Sequence, residues 1–262
     1  MKFGELTAPQ IAELDRDQTV VLIPIAAVEQ HGPHLPTATD TIICTALPQA
    51  VEQQLPGQVL LLPTFWLGAS AHHLRFGGTL DAPLPHHIQI LQEICRSLLT
   101  DGFQRLLILN GHGGNLDPLK VALRILQTDF PQALLVGGSY WSTSTDLLEQ
   151  TLEGEHRFVG HACEFETSMI LHLRPELVQR DKLAHAGPLI DDQLQGLFMA
   201  RDMFQRTAQG CTGRPDLATA EKGASLFQGI TTRIGQAITA MLQEPLATDY
   251  SEFLSSREDK VL

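Results

Sequence analysis

Thr19-Val20-Val21-Leu22-Ile23-Pro24-Ile25-Ala26-Ala27-Val28 is the stretch on which the fold turns. It is apolar throughout instead of alternating with period two. A strand with one wet face alternates; an unbroken apolar run reads as a strand covered on both faces. Val59 to Pro63, Arg105 to Leu109 and Ala133 to Val136 repeat the signal. Between these runs lie helical patterns over Asp40 to Gln54, Leu84 to Asp101 (stopped by Gly102) and Leu116 to Thr128. The alternation predicts an α/β protein, a parallel sheet with helices on both faces. Further helices are expected over Ala162 to Leu173 and Thr219 to Leu242. Gly187-Pro188 reads as a loop before a helix-like run near Gln193 to Phe204, and Ser255 to Lys260 as a solvated tail. No repeat, low-complexity segment or linker interrupts the chain, so residues 1–262 read as one domain.

The bulk numbers narrow the function. With 43% hydrophobic residues over 262 positions, the chain can bury a large core. Its formal net charge of −12 repels phosphate backbones and anionic membranes, which argues against nucleic-acid and membrane partners. Cys44, Cys95, Cys163 and Cys211 are widely separated, so neither a zinc knuckle nor a disulfide scaffold is expected. No run approaches the roughly 20 apolar residues of a membrane span, and Met1 to Leu6 lacks a signal-like apolar run. A reducing, cytoplasmic setting is the expectation.

Three polar clusters carry the chemistry. Glu29-Gln30-His31-Gly32-Pro33-His34 follows the first strand. If the strand continues, Glu29 and His31 share a face and can hold a divalent ion between carboxylate and imidazole. Asp40, after the Leu35-Pro36 turn, is either a further ligand or a helix N-cap. Asn110-Gly111-His112-Gly113-Gly114-Asn115 follows the third strand. Its glycines suit a close backbone approach, and a phosphate cradle is the rival reading. The loop lacks the phosphate-loop lysine and the G-x-G-x-x-G spacing, and its central histidine favours metal or acid–base work. Gly160-His161-Ala162-Cys163-Glu164-Phe165-Glu166-Thr167-Ser168 enters a helix. Carboxylates there suit the positive end of the dipole, whereas a histidine is comfortable only when neutral, so His161 can move a proton near pH 7. Together these loops offer the His/Asp/Glu mix expected for Zn²⁺ or Mn²⁺.

With those motifs in view, the sequence resembles the creatininase family. The likeness runs through Val28 to Pro36 with Asp40-Thr41, through Asn110 to Asn115, and through Gly160-His161-Ala162 with Phe165 to Ser168. Ser70 to Leu80 resembles a family loop in which the usual Pro-Gly-Thr is here Gly77-Gly78-Thr79. The resemblance implies a three-layer αβα fold, a centre of two divalent ions (zinc, manganese or both), and a cytoplasmic homo-oligomer, often a hexamer. Residue by residue, it makes Glu29, His31, Asp40 and His112 metal ligands, with Asp40 bridging, and His161 the proton shuttle. Creatininase itself has Tyr-Glu where this chain has Gly113-Gly114, and that glutamate is a ligand there. Glu166, which matches another glutamate of that site, is the candidate to make good the loss.

The implied reaction is hydrolysis of a C–N amide bond by a metal-activated water, with His161 passing a proton to the leaving nitrogen. The substrate class is a small cyclic amide, formamide or peptide-like molecule. Creatinine fits poorly, because the glycines remove an aromatic ring and a carboxylate, and Arg157-Phe158 replaces a tryptophan and an acid. Ser70, His73 and Trp141 are the candidates for the pocket wall, core packing being the alternative for Trp141. A non-catalytic metal- or ligand-binding protein on the same fold is the rival function.

Overall fold

The computed structural model describes residues 1–155, 157–188 and 198–246. Four strands, β1 (Val20–Ile25), β2 (Val59–Leu61), β3 (Arg105–Asn110) and β4 (Leu134–Ser139), form one parallel sheet in the order β2-β1-β3-β4. The helices are α1 (Ala8–Ala12), α2 (Thr39–Gln54), α3 (Leu84–Thr100), α4 (Leu116–Asp129), α5 (Thr145–Thr151), α6 (Glu164–Leu173), α7 (Met203–Arg206) and α8 (Ala220–Gln243). The three-layer arrangement follows from side-chain alternation. Val20, Leu22, Leu107 and Leu109 point into one core with α2, α6 and α8. Val21, Ile23, Ile25, Leu60, Leu106 and Ile108 point into the other with α3 and α4. Both faces of β1 and β3 are therefore buried, which is why their sequences show no polar alternation.

Strand order reverses between β1 and β3, since the chain leaves β1 for β2 on one side and later crosses to β3 on the other. Loops from the carboxyl ends of two such neighbours diverge and leave a crevice. The β1 loop carries Glu29 and His31, and the β3 loop carries His112.

Several boundaries differ from the sequence reading. β1 ends at Ile25, so Glu29 and His31 are not strand neighbours. Beyond Ile25 the carbonyls are taken by side chains: Asn115 Nδ2 donates to Ala26 O (3.0 Å) and Thr41 Oγ1 to Ala27 O (2.7 Å). β2 stops at Leu61, and β4 runs on to Ser139. Ala38, not Asp40, caps α2, so Asp40 sits inside the first turn. The expected stop at Gly102 is present, in the left-handed conformation (φ 91°). Of the helix-like run near Gln193 to Phe204, residues 193–197 lie outside the described residues, as do the tail Ser255 to Lys260 and His156; α7 covers only Met203–Arg206. Among the described residues no helix is long and apolar enough to cross a membrane.

The β3 loop is packed tightly where it leaves the sheet. A Cβ on Gly111 would lie 2.6 Å from Cys44 Cβ on α2, so only glycine lets the backbone pass. Gly111→Ala should therefore destabilise the protein by about 1–3 kcal/mol, the usual cost of overpacking. Urea denaturation of the metal-free variant measures this, and an unchanged midpoint would show that α2 yields freely.

Candidate metal centre

Glu29, His31, Asp40, His112 and Glu166 converge at the crevice, and all five are buried. Asp40 stands in the middle. Its Oδ1 lies 3.1 Å from His31 Nε2 and its Oδ2 3.1 Å from His112 Nδ1. Glu29 Oε1 lies 3.2 Å from His112 Nδ1, and Glu166 Oε1 3.8 Å from His31 Nε2. Ligand atoms of Glu29, Asp40 and His112 fall within 4.8 Å of one another, as do those of His31, Asp40 and Glu166, and those of Glu29, His31 and His161.

The outer ring nitrogens reveal what the inner ones face. His31 Nδ1 donates to the Glu29 carbonyl (3.1 Å), and His112 Nε2 to the Ala69 carbonyl (3.1 Å). A neutral imidazole anchored in this way turns its remaining lone pair inward, toward carboxylate oxygens. Glu29 Oε1, Glu29 Oε2 and Asp40 Oδ2 are buried and receive no hydrogen bond. Lone pairs facing unsatisfied carboxylates repel unless positive charge lies between them, and a backbone carbonyl holding the far N–H is the usual outer support of a metal-ligating imidazole. The residues therefore fit divalent ions. Without a cation, protons take that place. Burial opposes a charge on His112, yet the Glu29 and Asp40 carboxylates push it up to about 10. His31 is likewise held well above its ordinary value by Asp40 and Glu166 against the cost of burial. Despite burial, His112 and His161 hold the Glu29 carboxyl below the usual range, and His31 and His112 do the same for Asp40.

The glutamates divide between the two groups. Glu166 faces His31, whereas Gly114 adjoins His112, where its Cβ would lie 2.5 Å from Nε2. Glu166 thus lies beside His31 and Asp40, with ligand atoms of the three within 4.8 Å of one another. Its Oε2 also accepts from Cys163 N (3.2 Å), which ties the α6 start to the cluster.

His161 lies beside the carboxylates, its Nδ1 3.6 Å from Glu29 Oε1, while Nε2 donates to the Gln30 carbonyl (2.8 Å). Burial, helped by the neighbouring His31, holds its pKa below the ordinary imidazole value, which favours the neutral ring. His73 is buried with Nε2 3.3 Å from Glu29 Oε1, and its Nδ1 accepts from Gln30 Nε2 (2.8 Å). Ser70 lies behind His112, its hydroxyl 3.3 Å from Nε2. Trp141 lines the cavity edge-on to buried Tyr140. Gln30 is not singled out by the sequence: its amide also donates to Gly210 O (3.1 Å), joining three distant segments. Only its place between two candidate ligands hinted at a role. Above the cluster opens a cavity of about 680 Å³, walled by Leu84, Trp141, Phe158, Val159, Phe198 and Met203 among others.

A parallel three-layer sheet with a buried imidazole–carboxylate cluster at its switch point defines an α/β protein with a metal-binding type of site. The creatininase family model (creatinine amidohydrolase) matches residues 4–238, and the chain belongs to the creatininase family of amidohydrolases. A mycofactocin precursor peptide peptidase of Mycobacterium ulcerans is 34% identical over 233 residues, 86% of each chain. Among solved structures, a manganese creatininase superposes with TM-score 0.78 at 25% identity, covering 93% of this chain and 99% of that one. A mutant creatininase of the Zn–Zn type superposes with TM-score 0.79 at 25% identity, covering 93% and 98%.

In metal-free protein, raising the folded-state pKa of His112 above its unfolded value of about 6.5 stabilises the fold. That contribution is complete below about pH 6.5 and is lost as pH rises through about 10. The Tm of chelator-treated protein should therefore fall between pH 7 and 10. A flat profile in calorimetry would show that the carboxylates do not hold His112 charged.

Proposed function

We propose that this chain hydrolyses a C–N amide bond in a peptide-like small molecule bearing a bulky apolar group, using two divalent ions, Zn²⁺ or Mn²⁺. The observation that carries this reading is the pair of inward-facing imidazole nitrogens set against buried carboxylates without donors. Glu29, Asp40 and His112 would hold one ion, and His31, Asp40 and Glu166 the other, with Asp40 shared through its two oxygens. When bound, such ions polarise a carbonyl and acidify water. His161 supplies the proton traffic. With Nε2 committed to the Gln30 carbonyl, Nδ1 is the atom that takes a proton and returns it to the leaving nitrogen. His73 orients Glu29 and, with Trp141, faces the substrate, while Ser70 supports His112 from behind.

The cavity supports a substrate larger than creatinine. About 680 Å³ is the volume of a site for drug-sized or short-peptide ligands, and its apolar walls match a hydrophobic side chain. A Cβ on Gly113 would meet nothing within 4 Å, so this side stays open. The similarity to a peptide peptidase points the same way. The reading includes a single domain over residues 1–262 acting as a cytoplasmic homo-oligomer, an extension supported by the family resemblance.

Metal analysis of purified protein should give two divalent ions per chain, and Asp40→Ala should lose both. Loss of only one ion would remove Asp40 as the shared ligand. His161→Ala should keep both ions and lose roughly 10²-fold or more in turnover. Assays on short apolar peptides, formamides and creatinine identify the substrate class. Efficient creatinine hydrolysis would overturn the peptide-like assignment.

A further inference from the structure

His34 closes the Glu29 to His34 motif, yet among the described residues it belongs to none of the groups that could hold an ion, and it takes no part in the chemistry above. It is fully buried, and its Nε2 lies 3.0 Å from the Ala162 carbonyl and 3.1 Å from Thr167 Oγ1. Among the described residues Ala162 is the only non-glycine with positive φ (47°). Side chains other than glycine, asparagine and aspartate rarely adopt that conformation, and it persists only where surrounding contacts impose it. Ala162 sits between His161 and Cys163, the N-cap of α6.

The turn is clamped at each residue. His161 N donates to Thr212 Oγ1 (2.9 Å) and its carbonyl accepts from Thr212 N (2.8 Å). The Ala162 carbonyl accepts from His34, and Cys163 N donates to Glu166 Oε2. Direction passes from this turn to two functional side chains. Backward it aims His161 at Glu29, and forward it starts the helix that presents Glu166 Oε1 to His31. A turn held in a disfavoured conformation relaxes when a clamp is removed, and both side chains then lose their aim.

We infer that His34 is a positioning residue, whose Nε2–H holds the left-handed Ala162 turn and thereby aims both His161 and Glu166 into the centre. It acts through the backbone, so the position requires an N–H at the reach of Nε2 and not an imidazole as such. Glutamine reaches as far; asparagine is one methylene short. The inference rests on the proposed function only in taking Glu166 and His31 as zinc ligands.

The experiment compares His34→Gln with His34→Asn in the full chain, two amides that differ in reach alone. Thermal denaturation first establishes that each folds. Zinc affinity is measured by competition with a chromophoric chelator, and the His161 ring tautomer by ¹⁵N NMR of the zinc-free protein. His34→Asn should weaken one of the two zinc ions about tenfold or more, the usual scale for removing outer support of a ligand, and spare the other. It should also release His161 from its single Nε2–H tautomer. His34→Gln should restore the affinity to within about threefold of the parent and the tautomer fully. If the two variants behave alike, or if His34→Asn leaves both readouts unchanged, the inference falls. A parent protein that binds no zinc would sink the proposed function instead, and the tautomer comparison would still decide the role of His34. Should His34→Asn fail to fold, Thr212→Val removes the neighbouring clamp. It should produce the same loss of tautomer, and retention of the tautomer would overturn the clamped-turn argument.

Discussion

Two buried carboxylates, Glu29 and Asp40, face the ring nitrogens of His31 and His112 at about 3.1–3.2 Å, and the rest of the structure is arranged around that confrontation. Taking carboxylates out of water costs several kcal/mol each unless positive charge meets them. The fold supplies part of it through backbone dipoles. Asp40 lies in the first turn of α2 and Glu166 in the first turn of α6, so two helix N-termini face the same point. Partial charges of that kind do not neutralise three carboxylates. The imidazoles close the balance only as cations or as ligands of cations, and their outer nitrogens, pinned to the Glu29 and Ala69 carbonyls, favour the second state.

The sheet makes this geometry cheap to hold. Two loops bearing candidate ligands leave the carboxyl ends of β1 and β3, which are hydrogen-bonded neighbours buried on both faces. Asn115 ties the loops together, donating to Ala26 O and accepting from Ala69 N. α6 arrives from the far end of the chain and is locked to α8 by Lys222, which meets buried Glu164 at 2.6 Å. Glu164 also accepts from Gly154 N (2.9 Å), so the carboxylate nearest in sequence to Glu166 serves the scaffold. Neighbouring acids thus divide into one for structure and one for the centre, according to which face of α6 they occupy.

That division marks the limit of what the sequence makes legible. The unbroken apolar runs announce buried strands because burial on both faces erases alternation, and the helices between them follow. The three clusters are recognisable because histidine and carboxylate rarely gather in loops without a purpose. Strand ends are harder, since β1 stops where Asn115 and Thr41 take its carbonyls, and partners so distant in sequence leave no local trace. Gln30 and His34 look like ordinary polar loop residues for the same reason. Their roles lie in contacts to Gly210 and Ala162, 180 and 128 positions away.

Gly113-Gly114 shows how a change that reads as a loss can be a packed feature. From sequence, the pair reads only as the deletion of an aromatic side chain and a carboxylate. In the structure, a Cβ on Gly114 would come within 2.2 Å of the Ala69 carbonyl and 2.8 Å of His72. That carbonyl is the acceptor that fixes His112. The space a residue 114 side chain would need is therefore occupied by the support of a candidate ligand, with His72 stacked on His112 beside it (5.7 Å between ring centres). A carboxylate could not be restored at 114 without moving the 69–73 turn and freeing the imidazole. The glycines, the His72 turn and the cavity consequently form one coupled arrangement, in which the open space beside Gly113 and the anchoring of His112 are set by the same backbone approach.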